Sequence, residues 1–293
     1  MPYWSPTRDG PARRDQAPLE SVAQRKRDEV GRARERRSLD EVRAAALGAD
    51  APRNLRSALE GPLLRLIAEI RRPARSPRTS DVLFDPRIIA QEFAGGGAAA
   101  LSVSTDDAER GSELHLIRRA RSYMALPVVC WDFIVDPYQV YEVRAHRADA
   151  IALIVGLVSD DELQRLLATA SELAMSAVLV VRDAWELDSA LAAEAEIICV
   201  DNRDPDDGGA DLARTERLAR HLPGEVLLVS AHGIASCEDA ERAAAAGADA
   251  VLFDAPADYE LARDAIRDLR GIAVGRREAG GGMRENGNGR GNG

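Results

Sequence analysis

Glu69 and Arg71 stand two residues apart at the end of the apolar run 63–70. Side chains two apart on an extended chain share a face, so a carboxylate and a guanidinium point the same way. The carboxylate can take or give a proton. The guanidinium stays charged and can grip a substrate carboxylate through its planar fork. A resting ion pair is the alternative reading. His232 is a second candidate. His115, His146 and His221 fall on helical patterns, whereas His232 follows the end of the apolar run 225–231. There an imidazole suits proton transfer or ligand contact. Trp131 offers either a platform for a flat ligand or a plug. Asp201-Asn202-Arg203 closes a further apolar run with three polar groups.

One absence limits this chemistry. Lys26 is the only lysine in the 293 residues. A buried lysine can lose its proton and act as acid, base or Schiff-base amine, and arginine effectively cannot. Any proton transfer at the candidate groups therefore falls to carboxylates and imidazole.

The elements that must position these groups follow a regular pattern. Apolar runs occur at 63–70, 98–105, 127–134, 150–156, 177–182, 196–202, 225–231 and 248–253. They are short and nearly continuous, as expected of strands buried on both faces. Helical patterns that often open with Ser or Asp separate them. Eight such units predict a parallel sheet closed as a (β/α)8 TIM barrel, with an open doubly wound sheet as the rival. In a barrel the C-terminal strand ends and the loops after them form the site. The pattern divides the chain into a disordered arm (1–16), an N-terminal helical extension (17–62), the barrel (63–274) and a flexible Gly/Asn/Arg tail (275–293). Within the extension, 19–37 reads as a solvated helix and Ser38 with Glu41 as a capping box.

Composition narrows the function classes. The net charge of −10 argues against non-specific nucleic-acid or anionic-membrane binding. No apolar run is long enough to span a bilayer, and the N-terminus has no apolar signal core. Cys130, Cys199 and Cys237 lack metal or CxxC spacing and read as reduced thiols of a cytoplasmic protein. Cys130 should point outward into the layer between strands and helices.

Several stretches resemble the indole-3-glycerol phosphate synthase family. Leu66-Ile67-Ala68-Glu69-Ile70-Arg71 is similar to its first barrel strand, and Phe84-Asp85-Pro86 to its Phe-Asp-Pro motif. The stretch 99–106 resembles its second strand. Asp132-Phe133-Ile134-Val135-Asp136-Pro137-Tyr138-Gln139-Val140 is the most specific match, and Asp201-Asn202-Arg203 resembles its sixth-strand motif. The resemblance covers about residues 19–272. It implies a carbon–carbon lyase of tryptophan biosynthesis. The family reaction closes the ring of a carboxyphenylamino-deoxyribulose phosphate with loss of carbon dioxide and water, and needs no metal or organic cofactor.

The resemblance also marks departures. The family's first-strand glutamate falls on Glu69, but its lysine two residues on falls on Arg71. The third-strand lysine, the family's general acid, falls on Trp131, and the fifth-strand glutamate on Val180. The sixth-strand asparagine falls on Asp201, and its arginine persists as Arg203. The seventh-strand Glu-Ser-Gly falls on Ala231-His232-Gly233. The phosphate turn falls on Asp254-Ala255, where a negative charge opposes a dianion. Catalysis is therefore expected from Glu69, His232 and Asp201. Binding is expected from Arg71, Arg203, Trp131, Asn202, Gly233 and Ser76. The expected partner is a small molecule at the barrel mouth, an aromatic one among the candidates. The sequence leaves open a rewired family enzyme, an enzyme on another substrate, and a non-catalytic barrel that binds a protein or metabolite.

Overall fold

The computed structural model describes residues 16–72, 84–107, 111–203, 209–253, 259–275 and 277. The expected arm up to residue 15 and almost all of the expected tail lie outside the described residues.

Eight parallel strands close a barrel, as the spacing of apolar runs predicts. They are β1 (Arg65–Ile70), β2 (Ala100–Ser104), β5 (Val128–Trp131), β6 (Ala150–Ile154), β7 (Ser176–Val181), β8 (Ile197–Asp201), β9 (Leu227–Ala231) and β10 (Ala250–Phe253). Each pairs with its neighbour in sequence, and β1 pairs with both β2 and β10 to complete the ring. A short antiparallel ribbon, β3 (Asp106–Asp107) and β4 (Gly111–Ser112), follows β2. Two residues per strand carry no periodic signal, so sequence patterning missed it.

Strand alternation sorts side chains into two cores. Ile67, Val129, Val178, Val180, Cys199, Val229 and Leu252 fill the barrel interior. Leu66, Val103, Cys130, Leu179, Val200 and Val251 face the helices, which puts Cys130 in the outer layer as its register requires. Burial pushes the thiols of Cys130 and Cys199 above the usual range. The surrounding helices are α4 (Pro86–Gly96), α5 (His115–Arg121), α6 (Pro137–Ala145), α7 (Asp160–Glu172), α8 (Ala184–Ala192), α9 (Ala213–Ala219), α10 (Cys237–Ala245) and α11 (Tyr259–Asp268). Asp85, Asp136, Ser159, Asp183 and Ser236 cap the N-termini of α4, α6, α7, α8 and α10 through their side chains.

Three helices precede the barrel: α1 (Gln16–Arg36), α2 (Leu39–Leu47) and α3 (Leu55–Leu59). The capping box at Ser38 and Glu41 forms as expected. Leu55 and Leu59 of α3 pack into the interior cluster beside Ala100, Ala150 and Ala250, the first residues of their strands. The α3 helix thus closes the end of the barrel opposite the mouth. The α1 helix departs from the solvated reading. Its Ala23, Lys26 and Val30 are buried. Ala23 packs with Val135 and Leu157, which follow β5 and β6. The helix therefore lies against loops at the mouth end. Its charged sequence hid this, because the charge at its buried stripe is Lys26 itself.

Candidate active site at the mouth of the barrel

Glu69 ends the buried part of β1 and is 7% exposed, while Arg71, just past the strand, has a side chain that is 52% exposed. Their nearest approach is 3.7 Å, from Arg71 Nε to Glu69 Oε1. That distance exceeds a hydrogen bond, so the guanidinium is not locked in a bidentate pair. Glu69 sits in register with Ser102 of β2.

Trp131 closes β5 and packs against the interior cluster. Its ring meets that of His232 edge-to-face, with centroids 6.1 Å apart and planes at 90°. This is a favoured aromatic geometry. His232 follows β9 directly. Strand alternation alone would send it the way of the buried Ser230, into the outer layer. Its backbone is left-handed (φ 64°), a conformation rare in non-glycine residues. This break in the strand lets the imidazole meet Trp131. Gly233 follows, also at positive φ (79°), and a Cβ there would fall 2.7 Å from the Ala210 Cβ. Only glycine meets both conditions.

Arg203 and Asp201 complete the group. Arg203 Nη2 lies 2.7 Å from Nδ1 and 2.5 Å from Nε2 of His232. Asp201 Oδ1 is 3.7 Å from His232 Nε2 and accepts the backbone N–H of Arg203 at 3.0 Å. Arg214 of α9 donates to the carbonyls of Asp201 (2.7 Å) and Arg203 (2.9 Å), which fixes the chain after β8. The structure thus joins Trp131, His232, Arg203 and Asp201 in one contact chain at the strand ends. Glu69 on β1 and Arg71 just after it stand at the same end.

Asn202 takes another place. It is fully buried, and its amide N–H groups donate to Ser230 Oγ (2.9 Å), the Ala231 carbonyl (2.9 Å) and the His232 carbonyl (3.3 Å). Its carbonyl accepts from Thr215 N (3.2 Å) and Thr215 Oγ1 (2.9 Å). These bonds use the amide's whole capacity. Asn202 therefore pins β8 to β9 and α9 from the outer layer. Ser76 lies outside the described residues, as do Asp254 and Ala255. Val180 is buried inside the barrel and carries no polar group to the mouth.

A cluster that sequence reasoning did not assemble lies beside the mouth. Lys26 is 2% exposed, with its ammonium 2.6 Å from Asp132 Oδ1 and 2.7 Å from Asp106 Oδ1. Thr105 donates to the other oxygen of Asp132 at 2.6 Å. Arg25 forks onto Asp106 at 3.0 and 2.9 Å. Burial alone would lower the Lys26 pKa, but Asp132 and Asp106 outweigh it and hold it above the usual value. Burial would likewise raise Asp106, and Arg25 and Lys26 hold it below the usual carboxylate value. The only signal in the sequence is Lys26 at the centre of the apolar spacing Ala23–Val30.

The match to Asp132-Phe133-Ile134-Val135-Asp136-Pro137-Tyr138-Gln139-Val140 has a structural basis. Asp132 holds Lys26, Asp136 caps α6, and Gln139 accepts the backbone N–H groups of Val135 (2.8 Å) and Asp136 (3.2 Å). A sequence model of the family described as "Indole-3-glycerol phosphate synthase" matches residues 19–256. This chain belongs to that family.

Curated family members are closely similar. Indole-3-glycerol phosphate synthase of Rhizorhabdus wittichii is 39% identical over 239 residues, spanning 80% of this chain and 90% of that protein. The same-named protein of Mycobacterium leprae is 37% identical over 215 residues, 73% of this chain and 79% of that one. That of Roseiflexus castenholzii is 39% identical over 243 residues, 80% and 90%. A solved structure described as "Native KDPGal structure" superposes with a TM-score of 0.52 at 16% identity, covering 70% of this chain and 92% of that one. At that identity the likeness concerns the fold alone. No described helix is long and apolar enough to cross a membrane.

Proposed function

We propose that this chain is a barrel lyase of the indole-3-glycerol phosphate synthase type, related to tryptophan biosynthesis, that acts on an altered substrate by lysine-free proton transfer. One observation carries this reading. The only lysine of the chain, Lys26, is committed to Asp132 and Asp106 beneath α1. The groups that can move protons at the mouth are then Glu69, His232 and Asp201.

In this reading Glu69 and His232 share proton transfer. A positioned acid or base contributes about 10²–10⁴-fold. Asp201 stands 3.7 Å from the His232 ring, beyond a direct hydrogen bond but within reach of it through one water. Arg71, held loosely, takes a substrate carboxylate. The face of Trp131 accepts a flat ring, and Arg203 binds a second anionic group. The sequence puts Asp254 where the family has a phosphate turn, which favours a substrate without a phosphate dianion. Purified protein is to be assayed on the family's carboxyphenylamino-deoxyribulose phosphate and on its dephosphorylated counterpart, following indole absorbance. Slow turnover of the first and faster turnover of the second is the expected result. Conversion of the phosphorylated substrate at an ordinary family rate overturns the reading.

A second reading rests on a different observation. The His232 ring already has Arg203 and Trp131 against it. A non-catalytic barrel that binds a metabolite or protein partner accounts for this. Any measurable turnover that disappears in Glu69→Gln excludes it.

A further inference from the structure

A half-open cavity of about 280 Å³ separates α1 from α6 and the start of α5, outside the barrel mouth. Its floor is apolar, formed by Val30, Leu114, Ile134 and Val143. Its charges are arranged unevenly. Lys26, Glu29 and Asp132 also reach the wall, but they are engaged in ion pairs with one another and with Arg25 and Asp106. Arg32 and Arg36 stand one helical turn apart on α1 and reach the cavity. Neither makes an ion pair or a side-chain hydrogen bond among the described residues. Across from them, Glu142 of α6 is half-buried and likewise lacks an ion pair or side-chain hydrogen bond. Burial and the nearby Asp132 charge raise its carboxyl pKa, although Arg37, Arg36 and Lys26 draw it the other way.

A half-buried carboxylate with no hydrogen-bonding counter-ion is costly and is satisfied by a donor cation. Two unpaired guanidiniums near it are satisfied by a carboxylate. Arg36 is close enough to act on Glu142 yet does not pair with it, and Arg32 lines the same cavity, so a ligand bearing both signs a few bonds apart fits between them. The volume lies just below the roughly 300–1,000 Å³ of ordinary small-molecule sites. That suits one compact molecule with an apolar side chain on the floor.

We propose that this cavity binds a free α-amino acid with an apolar side chain, its ammonium on Glu142 and its carboxylate on Arg32 and Arg36. The site is independent of the chemistry at the mouth. Occupancy braces α1 against α6 across the wall that holds Asp132.

Calorimetric titration of the whole protein tests it with L-leucine, L-phenylalanine, N-acetyl-L-phenylalanine and L-phenylalanine amide. The free amino acids are expected to bind about tenfold or more tightly than either blocked form, since each block deletes one charge-assisted contact. Glu142→Gln is expected to weaken L-phenylalanine about tenfold and leave N-acetyl-L-phenylalanine unchanged. The double variant Arg32→Gln/Arg36→Gln, at two exposed positions, is expected to erase the preference for a free carboxylate. Circular dichroism establishes that both variants are folded. The proposal is overturned if no free amino acid binds at millimolar concentration, if blocked and free forms bind alike, or if affinity survives in both variants.

Discussion

Lys26 Nζ lies 2.6 Å from Asp132 Oδ1, and Asp132 directly follows Trp131 on the chain. The one lysine of the protein thereby anchors the N-terminal helix to the strand end that carries a candidate site residue. Lys26→Met leaves Asp106 and Asp132 buried with one less cation. Breaking a buried pair from one side costs about 3–5 kcal/mol. Urea unfolding should show a loss of that order. A Lys26→Met/Asp132→Leu double variant should lose less than the two single variants summed. Strict additivity would mean that the two groups do not interact.

The same cluster sets limits with pH. Asp106 has a lowered folded pKa, so its contribution is present above about pH 4 and is lost as pH falls through the folded value. Lys26 has a raised folded pKa, so its contribution is full below about pH 10.4 and is lost as pH rises through the folded value. Thermal unfolding followed from pH 3 to 11 should show wild type losing stability at both ends and Lys26→Met losing less at the alkaline end, the remainder coming from the buried thiols of Cys130 and Cys199, which ionise first in the unfolded chain. An alkaline loss as large in the variant as in wild type would remove Lys26 as a contributor.

His146 adds an earlier acid effect. Burial, followed by the Arg118, Arg37 and His115 charges, depresses its pKa from 6.5 to about 4. The unfolded chain therefore binds a proton that the folded chain refuses, and stability falls as pH drops from about 6.5 to 4. His146→Gln should flatten the melting temperature across that window. An unchanged slope would remove His146 as the cause.

At the mouth, Trp131→Lys returns an ammonium to the position where the family resemblance expects its general acid. Turnover of the phosphorylated family substrate should rise by about 10²-fold. Initial-rate measurements decide this, and an unchanged rate in a folded variant would show that the acid is not the limiting loss. Glu69→Gln should abolish whatever turnover the wild type has. Arg71→Ala should act mainly on KM, because the guanidinium is half-exposed and loosely held.

Asn202→Ala should behave as a stability variant. It strips Thr215 and Ser230, both fully buried, of a shared partner. The two hydroxyls keep each other, 2.8 Å apart, but the Thr215 N–H loses its acceptor, at a cost of about 1–3 kcal/mol. Melting temperature should fall sharply. A well-folded variant that had lost only substrate binding would return Asn202 to the site.

The amino-acid sequence determined the barrel. Buried parallel strands require unbroken apolar runs, helices require caps, and eight alternating units leave few ways to bury both faces of each strand. The groups at the mouth were legible only with the family resemblance added, since alternation puts Glu69 and Arg71 on one face but does not by itself say which face lines the site. Tertiary structure decided the rest. Asn202 and His232 follow parallel strands at similar positions, and Asn202 keeps the alternation of Val200 and faces outward to Ser230 and Thr215. His232 meets Trp131 only because its backbone takes a left-handed turn that no periodicity encodes. Lys26 looked like one more charge on a solvated helix. Its carboxylate partners are 80 and 106 residues further along the chain, a pairing that exists only once α1 is laid across the loops after β2 and β5.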